Sequence, residues 1–159
     1  VTLCIGIDPG LTGAVGVLDS GKFVRVEDIP TTLKGSGVVK NEVDPYGLYK
    51  MVRYVTQGHE EAEIALERVS AMPGQGSSSV FSFGDTYGCC RSAATISGHP
   101  VFLVPPATWK KHFKIGRDKE EARALAIRLF PDAPLNLKKY ADRAESLLIA
   151  RWLWETRHS

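Results

Sequence analysis

Four carboxylates, Asp8, Glu67, Asp142 and Glu145, stand in segments that should aim them into one shared site. Asp8 ends the apolar run Leu3-Cys4-Ile5-Gly6-Ile7 and precedes Pro9-Gly10, so it falls where a buried strand breaks into a turn. Glu67 ends a second run, Ala62-Glu63-Ile64-Ala65-Leu66. Asp142 and Glu145 open the near-continuous apolar stretch from Ser146 to Trp154, at a spacing that puts both on one face of a helix. Acids in such buried positions are costly to desolvate without a counter-charge, and a divalent cation is the simplest one.

Each acid also has a plainer reading. Asp8 before Pro-Gly suits a turn cap. Glu67 has Arg68 and Arg143 as potential ion-pair partners. Asp142 and Glu145 form the Asp-x-x-Glu pattern of a helix N-cap with its capping-box partner, which needs no metal.

The elements that would position these residues follow from the hydrophobic pattern. Leu3 to Asp8, Ala14 to Leu18 and Phe23 to Ile29 are short, β-branched or alternating, and separated by Gly-rich turns, which predicts an antiparallel meander. Lys34 to Asn41 reads as a mobile loop. Asp44-Pro45 then opens a helix to about Gln57, with Asp44 as N-cap and Pro45 at the first position. A fourth strand is expected at Ile64 to Glu67, a long helix from Ser77 to about Ser97, and a fifth strand at Val101 to Val104. A helical turn at Ala107 to Phe113 and helices at Lys119 to Phe130 and Asp142 to Thr156 complete the chain. A meander followed by strands alternating with helices implies an α/β fold, a mixed five-stranded sheet covered on both faces. The first and fourth strands would then be neighbours, with Asp8 and Glu67 at one sheet edge.

Composition frames these readings. The 159 residues are 43% hydrophobic and 24% charged, which fits one globular domain over residues 1–159. No apolar run approaches the roughly 20 residues of a membrane span, and no signal-peptide pattern opens the sequence. A cytoplasmic protein is expected, in the nucleoid, a phage host or, with a targeting peptide removed, an organelle matrix. Three cysteines, Cys4, Cys89 and Cys90, give neither a disulfide framework nor a metal-ligand spacing. The net charge of +2 divides unevenly: residues 1–100 carry 8 Lys+Arg against 11 Asp+Glu, and residues 101–159 carry 12 against 7. The basic excess around Lys110, Lys111, Lys114, Arg117, Lys119 and Arg123 suits a polyanion beside the acids, or a solvated helix face.

Five blocks in order resemble the RuvC-type Holliday-junction resolvases of the ribonuclease-H-like nuclease superfamily. They are Ile5-Gly6-Ile7-Asp8-Pro9-Gly10; Leu66-Glu67-Arg68-Val69 with the loop Met72 to Ser79; His99-Pro100-Val101-Phe102; Trp109-Lys110-Lys111-His112-Phe113; and Ala141-Asp142-Arg143-Ala144-Glu145-Ser146-Leu147. The last two blocks are more similar to the bacteriophage and plastid branches than to the main bacterial one. The resemblance implies a structure-selective endonuclease that nicks four-way DNA junctions in symmetric pairs and leaves 5′-phosphate and 3′-hydroxyl ends. It assigns Asp8, Glu67, Asp142 and Glu145 as ligands of two Mg²⁺ ions flanking the scissile phosphate. Oxygen ligands with no Cys or His favour Mg²⁺ or Mn²⁺ over zinc.

The resemblance further implies that Lys110 and Lys119 meet DNA phosphate near the cut, Lys119 also stabilising charge as the bond breaks, and that Lys111, Lys114 and Arg117 extend the track. Trp109 and Phe113, four apart, read as core residues rather than a base-stacking platform. In the loop after Glu67, the wedge aromatic of the main branch is replaced by Ser70; Met72, Gln75 and Ser77 are the remaining candidates for DNA contact. Symmetric nicking calls for a homodimer. Gly84, Gly88 and Ser92 form a small-residue stripe suited either to that interface or to packing on the protein's own sheet. No histidine is assigned to catalysis, and no nucleotide cofactor or membrane partner is expected. The Asp8-Pro9-Gly10-Leu11-Thr12-Gly13 turn also suits the phosphate loop of the actin and sugar-kinase superfamily, whose members need more than twice this length. A nuclease of the same fold acting on flaps, or a non-catalytic junction-binding protein, would suit these residues too.

Overall fold

The computed structural model describes residues 2–34 and 40–159. Strands β1 (Leu3–Asp8), β2 (Ala14–Asp19) and β3 (Lys22–Asp28) form the expected antiparallel meander. A short pair, β4 (Thr31–Lys34) and β5 (Lys40–Val43), follows as a separate two-stranded sheet. This differs from the loop expected over Lys34 to Asn41, because both ends of that stretch belong to strands. Thr31, Thr32 and Val43 are β-branched and pair across the ladder, a signal outweighed in the sequence by Gly35 and Gly37. The centre of the expected loop lies outside the described residues.

Helix α1 (Pro45–Thr56) starts as its sequence dictates: Asp44 accepts a 3.0 Å hydrogen bond from the Gly47 amide, and Pro45 occupies the first turn. β6 (Glu63–Glu67), α2 (Ser77–Ile96), β7 (Val101–Val104), α3 (Pro106–His112), α4 (Lys119–Leu129) and α5 (Ala141–Arg157) complete the chain, with a 3₁₀ turn at Lys138–Tyr140 before α5. The main sheet has the order β3-β2-β1-β6-β7, with β6 parallel to β1 and β7 parallel to β6. This is the expected mixed five-stranded sheet of an α/β fold, with helices on both faces.

Strand alternation divides the core into two. Leu3, Ile5, Ile7, Val15, Val17, Ile64 and Leu66 face one side and meet α1 and α2. Cys4, Leu18, Ala65 and Val104 face the other, against Trp109, α4 and the buried Leu147, Leu148, Ile149 and Leu153 of α5. Asp8 and Glu67 share the parity of Cys4 and Ala65, so both carboxylates project on the side that α5 covers.

How α5 lies there depends on two glycines. Gly6 and Gly16 are cross-strand partners on the α5 side. A Cβ at Gly6 would collide with the Ser146 carbonyl oxygen and the Ala150 amide, and one at Gly16 would sit 2.9 Å from the Leu147 amide. The helix backbone therefore rests directly on the sheet backbone. Arg143 fixes the start of α5 by a two-pronged hydrogen bond to Asp28 at the end of β3, at 2.7 and 2.8 Å. Overpacking ordinarily costs about 1–3 kcal/mol, and at Gly6 the obstacle is backbone that cannot rotate away. Gly6→Ala should therefore destabilise the protein by at least about 2 kcal/mol, measured by urea denaturation; an unchanged midpoint would show that α5 does not rest on this glycine.

Candidate active site

The site lies where β1 and β6 end together and α5 begins. The turn after Asp8 closes through a 3.1 Å hydrogen bond from the Gly13 amide to the Gly10 carbonyl, which brings Thr12 toward α5. Thr12 Oγ1 donates to Asp142 Oδ2 at 2.8 Å. Lys119, at the start of α4, donates to Asp142 Oδ1. Asp8, Asp142 and Glu145 each offer a ligand oxygen within 4.8 Å of the others. Glu67 stands beside this trio, lining the same cavity. All four acids, Lys110, Lys119, the turn from Pro9 to Gly13 and one side of α2 line a cavity of about 870 Å³.

The plainer readings of Glu67, Asp142 and Glu145 do not describe the structure. Asp142 is not the N-cap of α5; Tyr140 holds that position without a side-chain bond, and the 3₁₀ turn before it extends the helical path backward. Glu145 accordingly does not serve as a capping-box partner. Glu67 pairs with neither Arg68 nor Arg143: its Oε2 accepts a 2.8 Å hydrogen bond from the Trp109 indole, while Arg143 is committed to Asp28.

The electrostatics are unfavourable as they stand. Asp8, Glu67 and Glu145 are buried. Burial pushes the Asp8 carboxyl well above its ordinary range, and Glu67, Glu145 and Asp142 push it further. Burial raises Glu145 and Glu67 as well, against the lowering influence of Lys110 and Lys119 on both and of the Trp109 hydrogen bond on Glu67. At Lys119 burial works against the ammonium, but the hydrogen bond to Asp142 and the surrounding acids outweigh it and hold its pKa above the ordinary lysine value. Among the described residues, Asp8 Oδ2 and Glu145 Oε1 are buried without a hydrogen-bond partner, and the Lys110 ammonium lies 3.9 Å from Glu145. Orphaned carboxylate oxygens of this kind are stabilised by a cation. The all-oxygen donor set fits a hard divalent ion such as Mg²⁺ or Mn²⁺.

A second cluster, Cys4, Glu63 and His158, lies at the opposite end of β1. It is already neutralised: Arg157 donates to both Glu63 oxygens at 3.1 Å, and His158 meets Glu63 at 2.8 Å. Burial and the adjacent Glu63 push the Cys4 thiol up to about 12. Another histidine, His112, is bound to Glu155, away from the four acids.

No family model matches the chain, and no curated protein does. Among solved structures, the chain superposes on RuvC of Thermus thermophilus in complex with a Holliday junction substrate with a TM-score of 0.70, 19% identity, and coverage of 99% of this chain and 97% of that one. A second T. thermophilus RuvC structure gives a TM-score of 0.56 at 18% identity, covering 97% and 96%. The fold is the RuvC fold.

On this RuvC fold the basic residues flank the acids. Lys110 and Lys119 line the site cavity; Lys110, Lys111, Lys114 and Arg117 line an adjoining concavity along α3 and the turn after it. Arg123 does not extend this row, since its guanidinium is spent on Glu120 and on the Leu135 carbonyl. In the loop after Glu67, Gln75 reaches the cavity, accepting from the Met72 amide and donating to Ser79 Oγ. Met72 is 66% exposed, and neither it nor Ser77 lines the cavity. Ser78 and Ser79, in the first turn of α2, and Ser82, about one turn further on, do. Thr12 and Trp109 are the polar contributors that sequence reasoning missed. Trp109 was legible as core, but its indole bond to an acid 42 residues earlier carries no local signal.

The raised carboxyl values set a sign for stability. The folded protein retains a proton on Asp8 that the unfolded chain has already released, so stability falls as pH rises from the ordinary carboxylate range through the raised value. Asp8→Asn should therefore raise the melting temperature in EDTA at pH 8, by roughly 2–4 °C per kcal/mol of relieved repulsion, with the difference shrinking at pH 4. Mg²⁺ should raise the melting temperature of wild type and not of the variant. A variant that melts lower than wild type in EDTA would contradict the repulsive cluster.

Proposed function

We propose that this protein is a divalent-metal-dependent endonuclease that resolves four-way DNA junctions. The observation that carries the reading is the convergence of Asp8, Glu67, Asp142 and Glu145 on one cavity, with two orphaned buried oxygens among them and Lys110 and Lys119 at its rim. The full-length likeness to a RuvC seen with a Holliday junction substrate supports the substrate class.

In this reading the four acids hold two Mg²⁺ ions, with Mn²⁺ as a substitute. Held by these acids, the ions would supply Lewis-acid activation of a water and stabilisation of a departing 3′ oxygen, which would leave 5′-phosphate and 3′-hydroxyl ends. Thr12 holds the Asp142 carboxylate in orientation through Oδ2. Lys119 neutralises the other oxygen of Asp142 in the resting protein and lines the same cavity, where its ammonium would be available to a phosphate. Lys110 balances Glu145 from the far rim. Lys111, Lys114 and Arg117 continue the positive surface away from the cut, where they hold backbone phosphates without reading sequence.

Paired nicks on a two-fold symmetric junction require two such sites, and a homodimer supplies them. The stripe on α2 suits this role. Gly84 and Gly88 have open space where a Cβ would stand, so the stripe is not used on the protein's own sheet, and Phe81 beside it is 77% exposed. A cytoplasmic or nucleoid location accords with a DNA substrate.

Two variants test the assignment. Asp8→Asn should abolish nicking of a synthetic four-way junction in Mg²⁺ while leaving junction binding intact or tighter, because it removes a metal ligand and a negative charge near phosphate. Wild-type cutting by that variant would defeat the reading. Lys119→Ala should weaken binding and reduce the salt dependence by about one phosphate contact; an unchanged salt slope would remove Lys119 from the DNA surface.

A further inference from the structure

Trp109 is an unusual residue to find against an acidic site. It is completely buried, and a buried indole must spend its single N–H on an acceptor. That acceptor is Glu67 Oε2, at 2.8 Å. The two residues are joined by a short and rigid path: Glu67 is the register partner of Val104 at the end of β7, and Pro105-Pro106 lead directly into α3, which carries Trp109 in its second turn. On the face of the ring, the Lys110 ammonium lies 5.3 Å from the centroid, and the same ammonium is 3.9 Å from Glu145 Oε1. One side chain thus orients an acid by hydrogen bonding and supports the cation beside another acid through its π-face.

We infer that Trp109 is a positioning residue for the metal site. Its N–H holds Oε2 of Glu67 and fixes the carboxylate plane, so that the carboxylate is presented to the cavity in one orientation. Hydrogen-bond partners of metal ligands act in this way, and their loss commonly weakens metal affinity about 10–100-fold. The inference rests on the metal-binding reading of the four acids, and its test separates the two.

Mg²⁺ binding is measured by calorimetry without DNA on wild type and Trp109→Phe, a change that removes the N–H but keeps a ring under Lys110. The expected result is a variant with wild-type circular dichroism and a Mg²⁺ affinity reduced about 10–100-fold. Equal affinities would overturn the positioning role alone; no Mg²⁺ binding by wild type would overturn the metal reading itself. If the variant does not fold, the wild-type indole N–H resonances decide. The chain has 3 tryptophans. One indole resonance, slow to exchange with solvent, should shift both on adding Mg²⁺ and in Glu67→Gln, and a set of three that ignores both changes would refute the inference.

Discussion

The backbone-to-backbone contact of α5 with Gly6 and Gly16 is the constraint on which the site depends. Ser146 and Ala150 meet β1 at Gly6. Asp8 lies two residues further along the strand, and Glu145 and Asp142 lie one residue and about one turn earlier on the helix, so helix and strand run past each other with their acids aligned. Side chains at either glycine would lift α5 away and separate Asp142 and Glu145 from Asp8. The two-pronged Arg143–Asp28 bond and the Thr12–Asp142 bond then fix the helix start against the sheet and the turn.

This arrangement stores repulsion, and the apolar side of the same helix supplies the stability that tolerates it. Burial of Leu147, Leu148, Ile149 and Leu153 is worth roughly 1.5–3 kcal/mol each. The ammonium groups of Lys110 and Lys119 lower the cost of the buried acids. In the proposed reading a cation would relieve this repulsion, and its binding would add to stability. Trp109 fits the same logic, because it satisfies one oxygen of Glu67 from a neutral donor and adds no positive charge to the cavity.

Much of this was legible in the sequence, and the exceptions have physical causes. The apolar runs ending in Asp8 and Glu67 gave the parallel strand pair, because strands covered on both faces read as continuous hydrophobic stretches. Asp44-Pro45 gave the start of α1 through its capping chemistry. The β4–β5 pair was hidden by glycines that dominate its connection. The Asp-x-x-Glu pattern of Asp142 and Glu145 matched a capping box, yet the helical path begins before Asp142 and tertiary partners claim both acids. The Glu67–Trp109 and Thr12–Asp142 bonds join residues distant in sequence, and residue type alone does not reveal such pairs. The exposed stripe on α2 had two readings of equal merit until the open space at Gly84 and Gly88 decided against the protein's own sheet.

The central claim is that this constrained acidic site cuts four-way DNA. Mapping the products formed from end-labelled four-way, three-way, flap and duplex DNA, in Mg²⁺ and in EDTA, tests it most directly. The account predicts paired nicks at symmetric positions of the four-way junction, in Mg²⁺ only, with ends that a ligase can seal. Cutting confined to flaps or three-way forms, or junction binding without any cutting, would contradict it.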